Sequence, residues 1–283
     1  MQKSISLVLG SGGARGYAHI GVIEELLKQG YKIDSISGSS MGALIGGLHA
    51  CGKLQEYKEW ILTLEWIDVA KLLDFSFDGG LISGEKVFSK ISKIIGDVKI
   101  EDLTIKYTAV ATNIDKQKEL WIQKGKLIDA IRASIAIPTI FKPKKIDNEH
   151  YIDGGVLDPL PIAPTMSDNC DIIIAVSLNG KSNKNYSITI PKEQKDKETL
   201  FEEMFLNLKS KIYKDSYRYS IFSIFNKTID MMQDSILKHN LAVYPPDILI
   251  EVPYDICNFY EFHKAYELIE LGKIIVKEEL KIN

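Results

Sequence analysis

Twice within the first 51 residues, a short apolar run ends in a glycine-rich turn and passes directly into a helical pattern. The first unit is Ile5–Leu9, then "GSGGARG", then Ile20, Ile23, Leu26 and Leu27 at helical spacing across about Tyr17–Gln29. The second is "YKIDSIS", then "GSSMG", then "ALIGGLHA". Strand, tight turn and helix in repetition predict adjacent parallel strands with helices packed on the sheet. The expected class is α/β, with a mainly parallel central sheet. At 283 residues the chain is long enough to bury a sizeable core under such a sheet. No internal repeat or clean boundary divides it, so residues 1–283 read as one domain.

Further along, helices are expected over 53–65 and 85–95, the second capped by Ser83. Tyr107–Thr112 and Glu119–Ile122 read as strands around the polar turn "NIDKQ", and Lys126–Ser134 as a helix that must end before Pro138. Phe141–Ile146 and His150–Ile152 flank the turn "DNE", and Asp171–Leu178 is a buried strand. The lysine-rich stretch 181–198 reads as a polar surface connection. Beyond it, 199–283 is a C-terminal helical region with one further strand, Asp247–Glu251. Its expected stripes are Phe201, Phe205, Leu208 and Ile212, then Phe225, Ile229, Met232 and Ile236, with a terminal helix over 259–280.

Composition narrows the class. A formal net charge of −3 gives no reason to expect nucleic acid as a partner. No run approaches the ~18 apolar residues of a membrane span, and the apolar run at the start is too short for a signal peptide. Cys51, Cys170 and Cys257 are odd in number and widely spaced, which fits reduced thiols in a cytoplasm. No CxxC, HExxH or EF-hand spacing is present, so no metal site is signalled.

The chemistry concentrates in three places. Gly38 and Gly42 flank Ser40 as G-x-S-x-G, at the end of a predicted strand and the start of a predicted helix. That is the pattern of a nucleophile elbow, in which flanking glycines relieve crowding around a strained serine. The backbone N–H of Met41 and the helix N-terminus then face any oxyanion formed there. Gly46 and Gly47, mid-helix, imply close packing against a neighbouring element.

The loop Gly10–Gly16 carries Gly10, Gly12, Gly13, Ala14, Arg15 and Gly16. A dinucleotide fingerprint would need glycine where Arg15 stands, and a P-loop would need GK[ST]. The alternative is a nest of backbone N–H groups from Gly12, Gly13 and Ala14 that receives an oxyanion. Arg15 either ties the loop by hydrogen bonds or lends positive potential for a phosphate-bearing substrate.

A serine nucleophile needs a base, and the five histidines are poorly placed. His19 lies on the apolar stripe of the first helix, and His49 nearly three turns beyond Ser40. His239 and His263 sit in the C-terminal region without a supporting motif, leaving His150 as the one tempting imidazole. Asp153, at a strand end in "YIDGGVLDPLP", is the stronger candidate, because Gly154 and Gly155 let backbone approach its carboxylate closely. Read alone, D-G-G is also a turn signature, as Asp158 before Pro159 is.

Taken together, G-x-G-G-x-R-G at Gly10–Gly16, G-x-S-x-G at Gly38–Gly42 and D-G-G at Asp153–Gly155 resemble the patatin-like phospholipases, particularly the bacterial branch. "GLISGEKV" (80–87), "ASIAIPTIF" (133–141) and "PDILIEVP" (246–253) are similar to family segments as well. The likeness is strong across about 4–180 and loose across 240–275, and Thr139 stands where the family often has glycine.

The resemblance implies a three-layer α/β/α fold and a Ser–Asp dyad, with Ser40 as nucleophile and Asp153 as base. It also implies hydrolysis of phospholipid or related acyl esters without a cofactor. Trp66, Phe75, Phe77, Tyr217, Tyr219, Phe222 and Phe225 are candidates for a lipid-facing rim, with transient contact at the inner face of a membrane. Two competing expectations are an esterase using His150 in a triad, and a scaffold protein that keeps the fold with little turnover.

Overall fold

The computed structural model describes residues 2–64, 68, 84–138, 140–181, 186 and 221–282, without the side chains of 221–223, 225, 226 and 282. Eight strands form one sheet: β1 (Ser4–Leu9), β2 (Lys32–Ser39), β3 (Lys106–Asn113), β4 (Lys118–Ile122), β5 (Lys144–Ile146), β6 (Glu149–Asp153), β7 (Ile172–Gly180) and β8 (Ile248–Pro253). The strand order is β5-β6-β3-β2-β1-β7-β8, with β4 paired to β3. The five strands from β3 to β8 along that path run parallel, and β4, β5 and β6 run antiparallel.

The helices are α1 (Ala18–Lys28), α2 (Met41–Ala50), α3 (Leu54–Leu62), α4 (Glu85–Ile95), α5 (Leu127–Ser134), α6 (Ile221–Val243) and α7 (Ala265–Ile282). Strand alternation builds the layers. Ile5, Leu7 and Leu9 of β1 point into the larger core, shared with α1 to α5 and α7. Val8 and Ala175 point the other way and meet Leu160, Ile162 and Leu237 of α6. This is the expected three-layer α/β/α sandwich. Where α1 crosses α7, a Cβ on Gly21 would lie 1.8 Å from the carbonyl oxygen of Ile269, and one on Gly272 2.1 Å from that of Ala18. The two backbones touch there because neither helix carries a side chain at the crossing.

Several expected boundaries move, each for a local reason. The cap of α4 is Gly84, in a left-handed conformation (φ 62°), not Ser83, which lies outside the described residues. The strand expected from Phe141 begins only at Lys144, immediately after Pro143, whose nitrogen has no hydrogen to give a ladder. α7 starts at Ala265 rather than 259, after a run of turns. Met232 is 54 % exposed, so the stripe drawn through it is not the buried one; α6 presents Leu237 to the sheet instead. Phe201, Phe205, Leu208, Ile212, Thr139 and the connection from 187 to 198 lie outside the described residues. Gly46 and Gly47 are packed as expected, against Ile36 and against Ile131 and Tyr107.

Candidate active site

The chain leaves β1 toward β2 on one side and returns through β7 on the other, so the strand order reverses at β1. In open parallel sheets such a reversal leaves a crevice beyond the carboxyl ends of the strands. Three segments meet there: the loop after β1, the elbow after β2 and the turn after β6.

Ser40 joins β2 to α2 with φ 54° and ψ −122°, a conformation L-residues rarely adopt, and is 2 % exposed. The turn is possible because a Cβ on Gly38 would sit 2.5 Å from the Gly42 carbonyl, and one on Gly42 2.0 Å from the Leu9 oxygen. The Ser40 N–H donates to the hydroxyl of Ser134 at 3.0 Å, and that hydroxyl donates to the Val110 carbonyl at 2.6 Å. Ser134 thus ties the strained elbow to β3. Motif reading passed over it, although it stands in the "ASIAIP" segment.

Asp153 ends β6, where its own N–H is held by the Ala136 carbonyl at 3.0 Å. The Ser40 hydroxyl donates to Oδ2 of Asp153 at 2.5 Å, and the Gly155 N–H to Oδ1 at 2.8 Å. Burial pushes the Asp153 carboxyl up to about 7, against the pull of those two hydrogen bonds. The two motifs, 113 residues apart in sequence, are in direct contact.

The glycine loop closes the third side. Gly10 donates to Val176 at 3.0 Å and Ser11 to Pro159 at 2.8 Å. A Cβ on Gly16 would lie 2.3 Å from Cβ of Met41, and one on Gly155 2.7 Å from the Ser11 hydroxyl, so the loop abuts both elbow and D-G-G turn. The Ala14 amide is already engaged, donating to the Phe259 carbonyl at 2.9 Å. That removes Ala14 from the expected set of free donors and leaves Gly12 and Gly13. The first helical bond of α2 runs from Leu44 to Ser40, so the Met41 amide has no acceptor within the helix.

Arg15 has the geometry of a tie. It is 3 % exposed, donates to Gly12 O at 3.1 Å and Tyr254 O at 2.9 Å, and pairs with Asp230 at 3.6 Å. Burial lowers its pKa, and Asp230 pulls it back up. His19, fully buried, pairs its Nε2 with the Gly10 carbonyl at 2.8 Å, and burial lowers its pKa to about 4. A carbonyl only accepts, so Nε2 carries the proton and the ring is a neutral prop for the loop. His150 is exposed and faces Asp115 at 3.1 Å; the acceptor of the Ser40 hydroxyl is a carboxylate.

An elbow serine on a mainly parallel sheet places the chain among α/β proteins with a candidate nucleophile at the strand ends. The comparisons with known proteins make this specific. The description "Patatin-like phospholipase" matches residues 7–166, more than half the chain. An uncharacterized NTE family protein of Mycobacterium tuberculosis is 37% identical, the alignment covering 98% of this chain and 91% of that one. A lysophospholipase of Neurospora crassa is 33% identical over 62% of this chain, which corresponds to 12% of that much longer protein. Among solved structures, VipD from Legionella pneumophila superposes with a TM-score of 0.52 at 16% identity, covering 98% of this chain and 67% of that one. The chain belongs to the patatin-like phospholipase family.

Proposed function

We propose that the protein is a serine acyl hydrolase that cleaves carboxylic esters of phospholipids or lysophospholipids through Ser40 and Asp153. The 2.5 Å hydrogen bond from the Ser40 hydroxyl to Asp153 carries this reading, together with the family membership. In the proposed cycle, Ser40 Oγ attacks the ester carbonyl while its proton passes to Oδ2 of Asp153. The amides of Gly12, Gly13 and Met41 receive the oxyanion. Collapse expels the alcohol or lysolipid, which takes the proton from Asp153. Water then attacks the acyl-Ser40, again giving its proton to Asp153, and fatty acid leaves as the Ser40 hydroxyl is restored.

An ordinary aspartate is too weak a base for this work. Burial lifts Asp153 to about 7, close to the working pH, where a general base is most effective. Contact with a lipid surface would be transient: among the described residues, no helix is long and apolar enough to cross a membrane. Exposed Tyr254 and Tyr260, beside the segment that holds the glycine loop, are suited to such contact. The aromatics first considered for a rim, Trp66, Phe75, Phe77, Tyr217 and Tyr219, lie outside the described residues, as do the side chains of Phe222 and Phe225.

The test is fatty-acid release from lysophosphatidylcholine and hydrolysis of p-nitrophenyl butyrate by the wild type, Ser40→Ala and Asp153→Asn. Both substitutions are expected to cut turnover by about three orders of magnitude or more. Retained activity in a folded Ser40→Ala protein contradicts the reading, and retained activity in Asp153→Asn with loss in His150→Ala moves the base to the imidazole.

A further inference from the structure

α6 lies beyond the stretch matched by the family description, and no motif in the sequence points to it. Asp230, Gln233, Leu237 and Asn240 nevertheless fall at i, i+3, i+7 and i+10, on one face of the helix. Leu237 is buried against the sheet, and the other three reach the site. Asp230 pairs with Arg15 of the glycine loop at 3.6 Å. Asn240 donates to Oδ1 of the buried Asp158 at 3.0 Å, and Gln233 donates from Nε2 to the Gly155 carbonyl at 3.0 Å. One helix face therefore holds the D-G-G turn at Gly155, the segment after it at Asp158, and the glycine loop beside it.

The Gly155 contact matters most. Two successive glycines carry the least backbone restraint available to a chain, and the turn they open is a single short 3-10 segment, Gly154–Val156. Yet the Gly155 N–H must stay on Oδ1 of Asp153 if Oδ2 is to point at Ser40. The Gly154 carbonyl is held from within the segment, by the N–H groups of Leu157 and Asp158, whereas the side chain that bonds the Gly155 carbonyl is Gln233.

We propose that Gln233 is a positioning residue: by holding the Gly155 carbonyl it keeps the adjacent N–H on Asp153 and so aims the carboxylate at Ser40. The proposal rests on the Ser40–Asp153 reading above. Gln233 does not touch the reacting atoms, so its loss is expected in kcat rather than in KM. Misplacing a catalytic group by about 1 Å costs on the order of a hundredfold, and Asp153 keeps its bond to Ser40, so a loss of roughly tenfold or more is expected.

The experiment compares Gln233→Met, Gln233→Glu and Gln233→His with the wild type and Ser40→Ala. It measures kcat and KM on p-nitrophenyl butyrate and the rate of fluorophosphonate labelling at Ser40, with folding checked by thermal unfolding. Met matches the size of Gln without a donor, and an ionised Glu repels the carbonyl. Both are expected to lose kcat with KM within about twofold, and to label in step. His offers a ring N–H at a similar reach and is expected to recover much of the rate.

If folded Gln233→Met and Gln233→Glu keep wild-type kcat while Ser40→Ala is inactive, the positioning role is wrong and the dyad stands. Equal losses in Met and His reduce Gln233 to packing, which also overturns the proposal. Should Gln233→Met not fold, the contrast between Glu and His decides alone. Activity in Ser40→Ala removes the dyad, and the proposal with it.

Discussion

Asp153 is where stability and activity are opposed within a single side chain. Its carboxyl holds a proton up to about pH 7 in the folded protein, against 3.8 for an ordinary aspartate. Between those values the folded state binds more protons than the unfolded state, so this group's contribution to stability falls as pH rises through the window. Above it, the buried charge is a standing cost. Asp153→Asn keeps the shape without the charge. It is expected to melt higher than the wild type at pH 8, by an amount on the order of 1–3 kcal/mol, while turnover is lost. The gap should narrow by pH 5 and close only below about 3.8, where the unfolded carboxyl is protonated as well. Thermal unfolding at the two pH values measures this, and an Asp153→Asn protein less stable at pH 8 than at pH 5 relative to wild type contradicts it. Asp158, also raised to about 7 by burial, is present in both proteins and cancels in the comparison.

As the proposed base, the same carboxyl would set the pH dependence of the reaction. The base works only when ionised, so kcat/KM is expected to rise with pH through about 7 and then level. A second residue-scale expectation concerns Ser134, whose hydroxyl joins the Ser40 N–H to the Val110 carbonyl. Ser134→Ala takes from the buried Ser40 N–H its acceptor, which costs about 1–3 kcal/mol, and it also frees the elbow. Both a lower melting temperature and a lower kcat should follow.

At the scale of elements, what could be read from the chain depended on how local the cause was. The β1–loop–α1 and β2–elbow–α2 units were legible because apolar runs, glycines and helical spacing lie side by side in sequence. Asp153 was found through the glycines that follow it. The engaged Ala14 amide was not, because its acceptor, Phe259, is 245 residues away and nothing near Ala14 announces it. The polar residues of α6 were missed for the same reason: Asp230, Gln233 and Asn240 have the pattern of any solvated helix face until the fold sets them against the site. The exposed Met232 shows the reverse error, an apolar residue at the right spacing on the wrong face. The α1–α7 crossing gives the element-scale prediction. Gly272→Leu puts a side chain where a Cβ alone would be 2.1 Å from the Ala18 oxygen, so the helices must separate. A loss above about 3 kcal/mol is expected in denaturant unfolding, with soluble yield falling alongside.

Over the whole molecule, the family stretch 7–166 ends before the sheet is complete. β7 pairs with β1 at the centre of the sheet, β8 extends it, α7 covers α1, and α6 braces the site. A chain cut after Met166 is therefore expected to lack cooperative unfolding, because β1 loses its pairing with β7 and Val8 loses Ala175 and Leu237; a sharp melting transition in that fragment contradicts this view of the core. Across the intact protein, one fold brings a strained serine and a buried carboxylate into contact, which we propose act as nucleophile and base. The most direct test of these roles is to treat the folded protein with a fluorophosphonate at pH 7.5 and locate the adduct by peptide mass spectrometry. A single adduct on Ser40 is expected, absent from Ser40→Ala and formed far more slowly in Asp153→Asn. A folded wild-type protein in which Ser40 stays unlabelled, or labels equally fast without the Asp153 carboxylate, contradicts them.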